Sequence, residues 1–513
     1  MENKKICVIG AGISGLVTAK TFVEQGYEVT VFEKQAGLGG VWEKSRTYPG
    51  LSTQSIGKTY CFSDFPMPAS YPEWPTAENI RNYLESYTRH FGISEKIRFQ
   101  TNVTDVSRTT GSRPGWVVTV RVKYPHGNEI EEKHEFDFVV VCNGTASSTR
   151  LPSLPGKDEF TASGGQVLHS TEFNDTSIIE GKRVVVLGGG KSACDIATVA
   201  ANQAQECSLV FRTPMWMLPK FFLGLVNMKY ILLTRFSEVW FPYRQMRGAE
   251  KLLHTVGKPL VWAFWRLVEL LVRLQLGLDS CGFVPQKRLN QIECSVAIAP
   301  QDFFKYIRSG KIQTIKTTIT KFIPGGVELA NGQQLQADIV ILGTGFHQEI
   351  PFLEEKYRQQ VVDKEGNFHL YRHLINPNIP QMGFVGYNAT FFVPLSSEVG
   401  AWWLVEYVKG NLSLPSPSEM IQDTTAELDW MKNQFGFVAD QGTCLVAFSL
   451  RYINQLIKDI YGTDELVVWK GLSQFMMPVD VSVYQKLRQK LNSQRLRNID
   501  DSRRSETVGV RQN

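Results

Sequence analysis

The chain has 513 residues, 43% of them hydrophobic, enough to bury a sizeable core and to divide into two or more domains. Lys plus Arg number 55 against 50 Asp plus Glu, a net charge of +5 without a long single-sign run, which argues against a nucleic-acid partner. The eight cysteines, Cys7, Cys61, Cys142, Cys194, Cys207, Cys281, Cys294 and Cys444, include no C-x-x-C pair and no Cys/His cluster at zinc spacing. Free thiols in a reducing cytoplasm are therefore expected, with no disulfide framework and no metal site. The N-terminus runs from Met1 to Lys5 straight into an apolar strand, so neither a signal peptide nor a transit sequence is expected.

That strand, Ile6 to Ile9, leads into Gly10-x-Gly12-x-x-Gly15 and then a predicted helix with Leu16, Ala19, Phe22 and Val23 on one face. Gly10 suits the tight turn, Gly12 the approach of backbone to a pyrophosphate, and Gly15 close helix–strand packing. Ala11, Ile13 and Ser14 complete the loop, whose helix N-terminus faces the phosphate charge. A second strand, Glu28 to Phe32, ends in Glu33, about 20 residues past the glycines, where a carboxylate can accept from ribose hydroxyls. Gly39-Gly40-Val41-Trp42 follows and resembles the G-G-x-W segment of FAD-binding flavoprotein monooxygenases. Trp42 has an ordinary reading as a core aromatic, but its place just after the acid favours an FAD site including Gly40, Val41 and Trp42.

Residues 182 to 212 repeat the pattern. A strand from Arg183 to Leu187 enters Gly188-x-Gly190-x-x-Ala193, a helix carries Ser192 in its first turn, and the second strand ends at Arg212 instead of an acid. A guanidinium can pair with a 2′-phosphate that a carboxylate would repel, so this site is expected to take NADPH. The alternative is that Arg212 is a solvated strand-end charge. Two dinucleotide sites in one chain mean that nicotinamide can reduce a bound flavin. No closely spaced cysteine pair is available to receive the electrons, which leaves oxygen, a quinone or a metal complex.

Residues 214 to 280 exceed a minimal nucleotide domain and contain two apolar pieces, Trp216 to Leu233 and Leu260 to Leu278. Arg266, Glu269 and Arg273 lie at helical spacing in the second, and each would cost about 2.5–3.5 kcal/mol at mid-bilayer, which forbids a spanning helix. A cap over the active site and a peripheral membrane contact are both open. From Gln485 onward the sequence alternates Lys/Arg with polar residues, as in a solvated or disordered tail.

Together with Cys61-Phe62-Ser63-Asp64-Phe65-Pro66 and Gly343-Thr344-Gly345-Phe346, these motifs resemble those of the class B flavin monooxygenases, specifically the flavin-containing monooxygenases that form N- and S-oxides, from about residue 5 to about residue 435. The family pattern F-x-G-x-x-x-H-x-x-x-(F/Y) appears as Ser163, Gly165, His169 and Phe173, without its first aromatic. Phe173-Asn174 stands where the related Baeyer–Villiger enzymes carry Trp, which favours the heteroatom branch; His169 is expected to brace the interdomain linker. The family's active-site Asn aligns with Gln54, followed by Ser55; this pair is expected nearest the flavin, with Ser192 and Arg212 holding NADP+.

The resemblance implies an α/β fold with two Rossmann-like domains: FAD domain 1–155 and 325–450, NADPH domain 156–324 with a helical insertion at 214–290, and a C-terminal extension 451–513. It also implies oxygenation of a nucleophilic N or S in a small molecule by molecular oxygen, through a C4a-hydroperoxyflavin. Baeyer–Villiger oxygenation, single-component halogenation and a non-catalytic redox-responsive FAD binder are the rivals. A homodimer is left open.

Overall fold

Two runs of β-branched residues build two parallel sheets. The structure, a computed structural model, describes residues 4–110, 114–124, 127–291, 294, 296–436, 443–462 and 475–493. In chain order, the elements that position the site are β1 (Lys5–Ile9), α1 (Ile13–Glu24), β2 (Glu28–Phe32), β3 (Ile97–Arg98), β4 (Phe138–Val141), β5 (Gln166–His169), β6 (Arg183–Leu187), α2 (Lys191–Gln203), β7 (Glu206–Phe211), β8 (Trp216–Leu218), α3 (Lys258–Leu276), β9 (Val296–Ile298), β10 (Gln313–Lys316), β11 (Ile339–Leu342), β12 (Met382–Phe384), α4 (Val393–Val408) and α5 (Ser449–Tyr461).

The first sheet runs β12-β4-β1-β2-β3 and the second β10-β7-β6-β11-β5, with every neighbouring pair parallel. Strands such as Phe138–Val141 and Ile339–Leu342 are buried along their whole length, as parallel strands covered on both faces must be. The expected α/β architecture with two dinucleotide-binding units is present.

The C-F-S-D-F-P segment has a packing task. Ser63 donates from its backbone N (2.8 Å) and its hydroxyl (2.7 Å) to Glu398 of α4, while Asp64 pairs with the buried Lys20 of α1. Lys20 also reaches Glu24 at 2.9 Å. Burial, reinforced by Asp64, pushes the Glu398 carboxyl up to about 7. The motif therefore fixes α1 against α4 through charges that have left water, and removing any one partner would strand the others.

Four expectations change. The return to the first unit does not come at residue 325, because β11 pairs with β6 and β5 inside the second sheet; the crossing follows Leu342, at Gly343-Thr344-Gly345. The insertion is not purely helical, since β8 lies within it and pairs in parallel with β9, just past its end. The tail is ordered as far as residue 493: residues 482–493 are helical, Leu491 is buried, and the Arg488 guanidinium lies 4.6 Å from the Trp402 ring centroid. Residues 494–513 lie outside the described residues.

The fourth change concerns the cysteines. Cys294 and Cys444 form a disulfide with Cα atoms 5.8 Å apart, across a sequence separation of 150, while the other six cysteines are free and buried. Their distance in sequence hid the pair. Among the described residues, no helix is long and apolar enough to cross a membrane.

The bridge ties the end of the insertion to the strand beside residues 388–389. A peptide map without reductant should show the Cys294–Cys444 cross-link, and Cys444→Ser should cost about 2–4 kcal/mol in chemical unfolding. Two free thiols in protein purified without reductant would contradict the pairing.

Candidate functional site

The carboxyl end of the first sheet opens into a cavity of about 550 Å³. Gly10, Gly12, Ile13, Ser14, Glu33 and Gly40 line it, as do Val41 and Trp42, so most of the first expected set converges there. Ala11 and Gly15 stand behind the wall. A Cβ on Gly15 would lie 1.8 Å from the Gly10 carbonyl oxygen, so only glycine lets α1 start against β1. A Cβ on Gly12 would meet nothing nearer than the Gly40 Cα at 3.6 Å. The protein's own packing therefore does not demand glycine at position 12. The absence of a side chain leaves room there for a ligand to approach the backbone.

Glu33 accepts from Ala11 N at 2.7 Å and from Gln35 N at 2.8 Å. Burial raises its carboxyl, and these two bonds oppose the rise. Each carboxylate oxygen keeps a further lone pair, so Glu33 can still accept from a hydroxyl in the cavity. Trp42 is both a core and a lining residue, 6% exposed, with Nε1 donating to the Tyr60 hydroxyl at 3.2 Å. Ser14 and Ser397 share a hydroxyl–hydroxyl bond of 2.9 Å, which joins the glycine loop to α4.

Several lining residues were not identified from sequence. Arg46 is half-buried, donates to Ala146 O at 2.7 Å, and shares the cavity wall with Lys34; the two cations both draw the Glu33 carboxyl down against its burial. Asn143 accepts from the Tyr387 hydroxyl at 2.6 Å. Asn143-Gly144 comes after β4 with one residue between, and the end of a central parallel strand is a signal that could have marked it. Arg46 carries no such signal.

The second cradle has the same logic with different partners. A Cβ on Gly188 (φ 144°) would stand 2.3 Å from Gly343 O, so the linker glycine packs directly on the second fingerprint. At Gly190 nothing lies within 4 Å, an opening matching that at Gly12. Ala193, in place of a third glycine, is fully buried, and Ser192 is half-buried in the first turn of α2. Arg212 ends β7 exposed and without a partner among the described residues, and the chain then turns back so that Met215 N donates to Gly189 O at 3.3 Å. His169 donates through Nε2 to Gly345 O at 3.2 Å, which braces the linker as expected.

Gln54 and Ser55 do not line the large cavity. Gln54 Oε1 accepts from Ile298 N of β9 at 3.2 Å, and the Ser55 hydroxyl donates to Phe391 O at 2.7 Å. Both bonds join the segment after the first cradle to parts distant in sequence. Phe391 lies between Thr390 and Val393, which line the cavity, so the pair sits immediately behind its wall. On its other side Phe391 walls an apolar chamber of about 70 Å³ within the insertion, together with Phe236, Trp240, Phe264 and Trp265. Trp240 and Phe264 stack there with centroids 3.8 Å apart, and the buried Trp240 Nε1 has no partner among the described residues.

A family model described as flavin-binding monooxygenase-like matches residues 3–470. The chain is 29% identical over 493 residues to the putative flavin-containing monooxygenase 2 of Arabidopsis thaliana, covering 89% of this chain and 97% of that one. It is 28% identical over 488 residues to the N-oxide-forming dimethylaniline monooxygenase 2 of Mus musculus, covering 90% and 84%. Among solved structures, cyclohexanone monooxygenase from Rhodococcus sp. Phi1 bound to NADP+ has the same fold, with a TM-score of 0.65 at 19% identity over 90% of this chain and 98% of that one. The two open cradles, the linker and this match across nearly the whole length agree: the chain belongs to the flavin-binding monooxygenase-like family and is an FAD- and NADPH-dependent monooxygenase.

Proposed function

We propose that this monooxygenase transfers oxygen to a nucleophilic N or S atom of a small apolar molecule. The observation that carries the reading is the pair of cradles with open central glycines, Gly12 and Gly190, of which the first faces a cavity bordered through Phe391 by an aromatic chamber. Bound FAD, once reduced by NADPH, supplies the activation of molecular oxygen. The chain's own residues bind, orient and exclude water. Gly10 to Gly15 with Glu33 hold the FAD pyrophosphate and ribose, and Gly188 to Ala193 with Arg212 hold NADPH. Phe173-Asn174 supports the heteroatom branch over ketone oxygenation, and the N-oxide-forming mouse relative supports it further. NADPH-oxidation assays with mass spectrometry should show oxides from thioethers or tertiary amines. Esters or lactones from ketones, with no heteroatom product, would overturn the reading.

Arg212, just past β7, is exposed and has no partner among the described residues, so its guanidinium can meet a 2′-phosphate. A charge-assisted pair contributes about 1.5–3 kcal/mol, so Arg212→Ala should weaken NADPH roughly 10- to 100-fold and leave NADH unchanged. Equal losses for both cofactors in steady-state kinetics would make Arg212 structural.

Gln54 supports the reaction from behind the cavity wall. Its carbonyl holds β9 against the flavin unit. Its truncation costs about 1–3 kcal/mol of buried polar contact and admits water. Gln54→Ala should keep FAD bound and NADPH oxidation near normal while hydrogen peroxide replaces oxygenated product. Full coupling in that variant would remove Gln54 from the account.

For the insertion, the exposed face of α3 favours interfacial contact over a simple cap. Leu260, Leu267, Leu270 and Leu274 follow helical spacing and are each more than half exposed, whereas Glu269 is turned inward onto Arg266. The protein should co-sediment with lipid vesicles, and Leu267→Glu with Leu274→Glu should release it. Absence of binding by the unmodified protein would leave the cap.

A further inference from the structure

The two cradles hold their ligands in separate units, and hydride transfer needs those units in one fixed relation. One polar chain crosses between them at the phosphate end of the second cradle. Tyr48, two residues past the cavity-lining Arg46, is buried and donates its hydroxyl to Asp195 Oδ2 at 2.9 Å. Asp195, buried one turn into α2, also receives Lys191 Nζ at 2.6 Å on Oδ1. The next residues run along α2: a Cβ on Gly50 would lie 3.4 Å from Val199 Cγ2.

The placement is costly without a purpose. Lys191 is the first residue of α2, where the helix dipole disfavours a cation, and the Lys220 pKa is lowered by burial and then by the like charge of Lys191. Asp195 offsets part of this, but it is itself buried, and burial raises its carboxyl. Tyr48 contributes a neutral donor from the other unit, which stabilises the carboxylate and at the same time fixes where α2 begins relative to the flavin cavity. Lys191, with two of its three N–H directions at most directed to Asp195, keeps donor capacity at the mouth of the glycine turn.

We propose that Tyr48 and Asp195 are positioning residues for hydride transfer: they dock the N-terminus of α2, with Lys191, onto the flavin unit, so that a nicotinamide dinucleotide bound there presents its reactive end to the flavin. The inference rests on the assignment of residues 188–193 as the NADPH cradle.

The test is anaerobic stopped-flow reduction of the flavin-loaded, full-length protein at varied NADPH concentration. Tyr48→Phe keeps the ring and removes only the hydroxyl that crosses between units. Its limiting reduction rate should fall about 5- to 20-fold, the scale of one lost buried hydrogen bond, while the half-saturating NADPH concentration shifts less than about 2-fold. Asp195→Asn keeps an acceptor for Tyr48 but frees Lys191, and should mainly raise the half-saturating concentration, by about 5- to 10-fold. Flavin content and melting temperature of Tyr48→Phe should match the parent. An unchanged limiting rate in Tyr48→Phe, or a fall accompanied by lost flavin and a lower melting temperature, would overturn the positioning role. Flavin reduction precedes oxygen transfer, so a wrong assignment of the oxygenated atom leaves this test intact. A wrong cradle assignment would show instead as a failure of NADPH to saturate reduction in the unmodified protein.

Discussion

A helix can begin against the end of a parallel strand only where no side chain stands between them. In this chain the Gly10 carbonyl oxygen occupies the place a Cβ of Gly15 would need. That contact turns the backbone amides after β1 outward, sets the floor of the large cavity, and brings the Ala11 amide onto Glu33. The second unit meets the same constraint with a different partner, because Gly188 packs on the carbonyl of Gly343. The linker back to the first unit is thereby part of the second cradle, and His169 holds it from the other side.

The remaining architecture keeps these two floors in place. Glu398, Ser63, Asp64 and Lys20 lock the helices over the first sheet, and Ser14 with Ser397 ties the glycine loop itself to α4. Between units the joints include Tyr48 to Asp195, Gln54 to Ile298, and Cys294 to Cys444. Each joins residues more than 140 positions apart. Buried polar joints of this kind specify geometry more than they add stability, since removing one partner leaves the other unsatisfied.

This division explains what could be read in the sequence. The two strand–glycine–helix turns, with Glu33 and Trp42 at the large cavity, were legible because strand, turn and helix follow one another locally, and a glycine or terminal acid has a fixed offset from them. The disulfide, the late crossing at Gly343, the Arg46 wall and the helix at 482–493 were not, because each depends on which distant segments meet. Gln54 is intermediate. Its resemblance to a family position placed it near the flavin, and it borders that wall, but its amide carbonyl faces β9 of the insertion instead of the cavity. The aromatic chamber had no readable signal either, since Trp240, Phe264 and Phe391 come together only in three dimensions.

In the proposed reaction one atom of molecular oxygen goes onto a substrate heteroatom and one NADPH is consumed. Turnover under isotopically labelled oxygen gas, followed by mass spectrometry of the product and a count of NADPH consumed, tests that claim most directly. The account predicts one labelled oxygen on N or S for each NADPH. Label found only in hydrogen peroxide or water, or product oxygen drawn from unlabelled solvent, would contradict it.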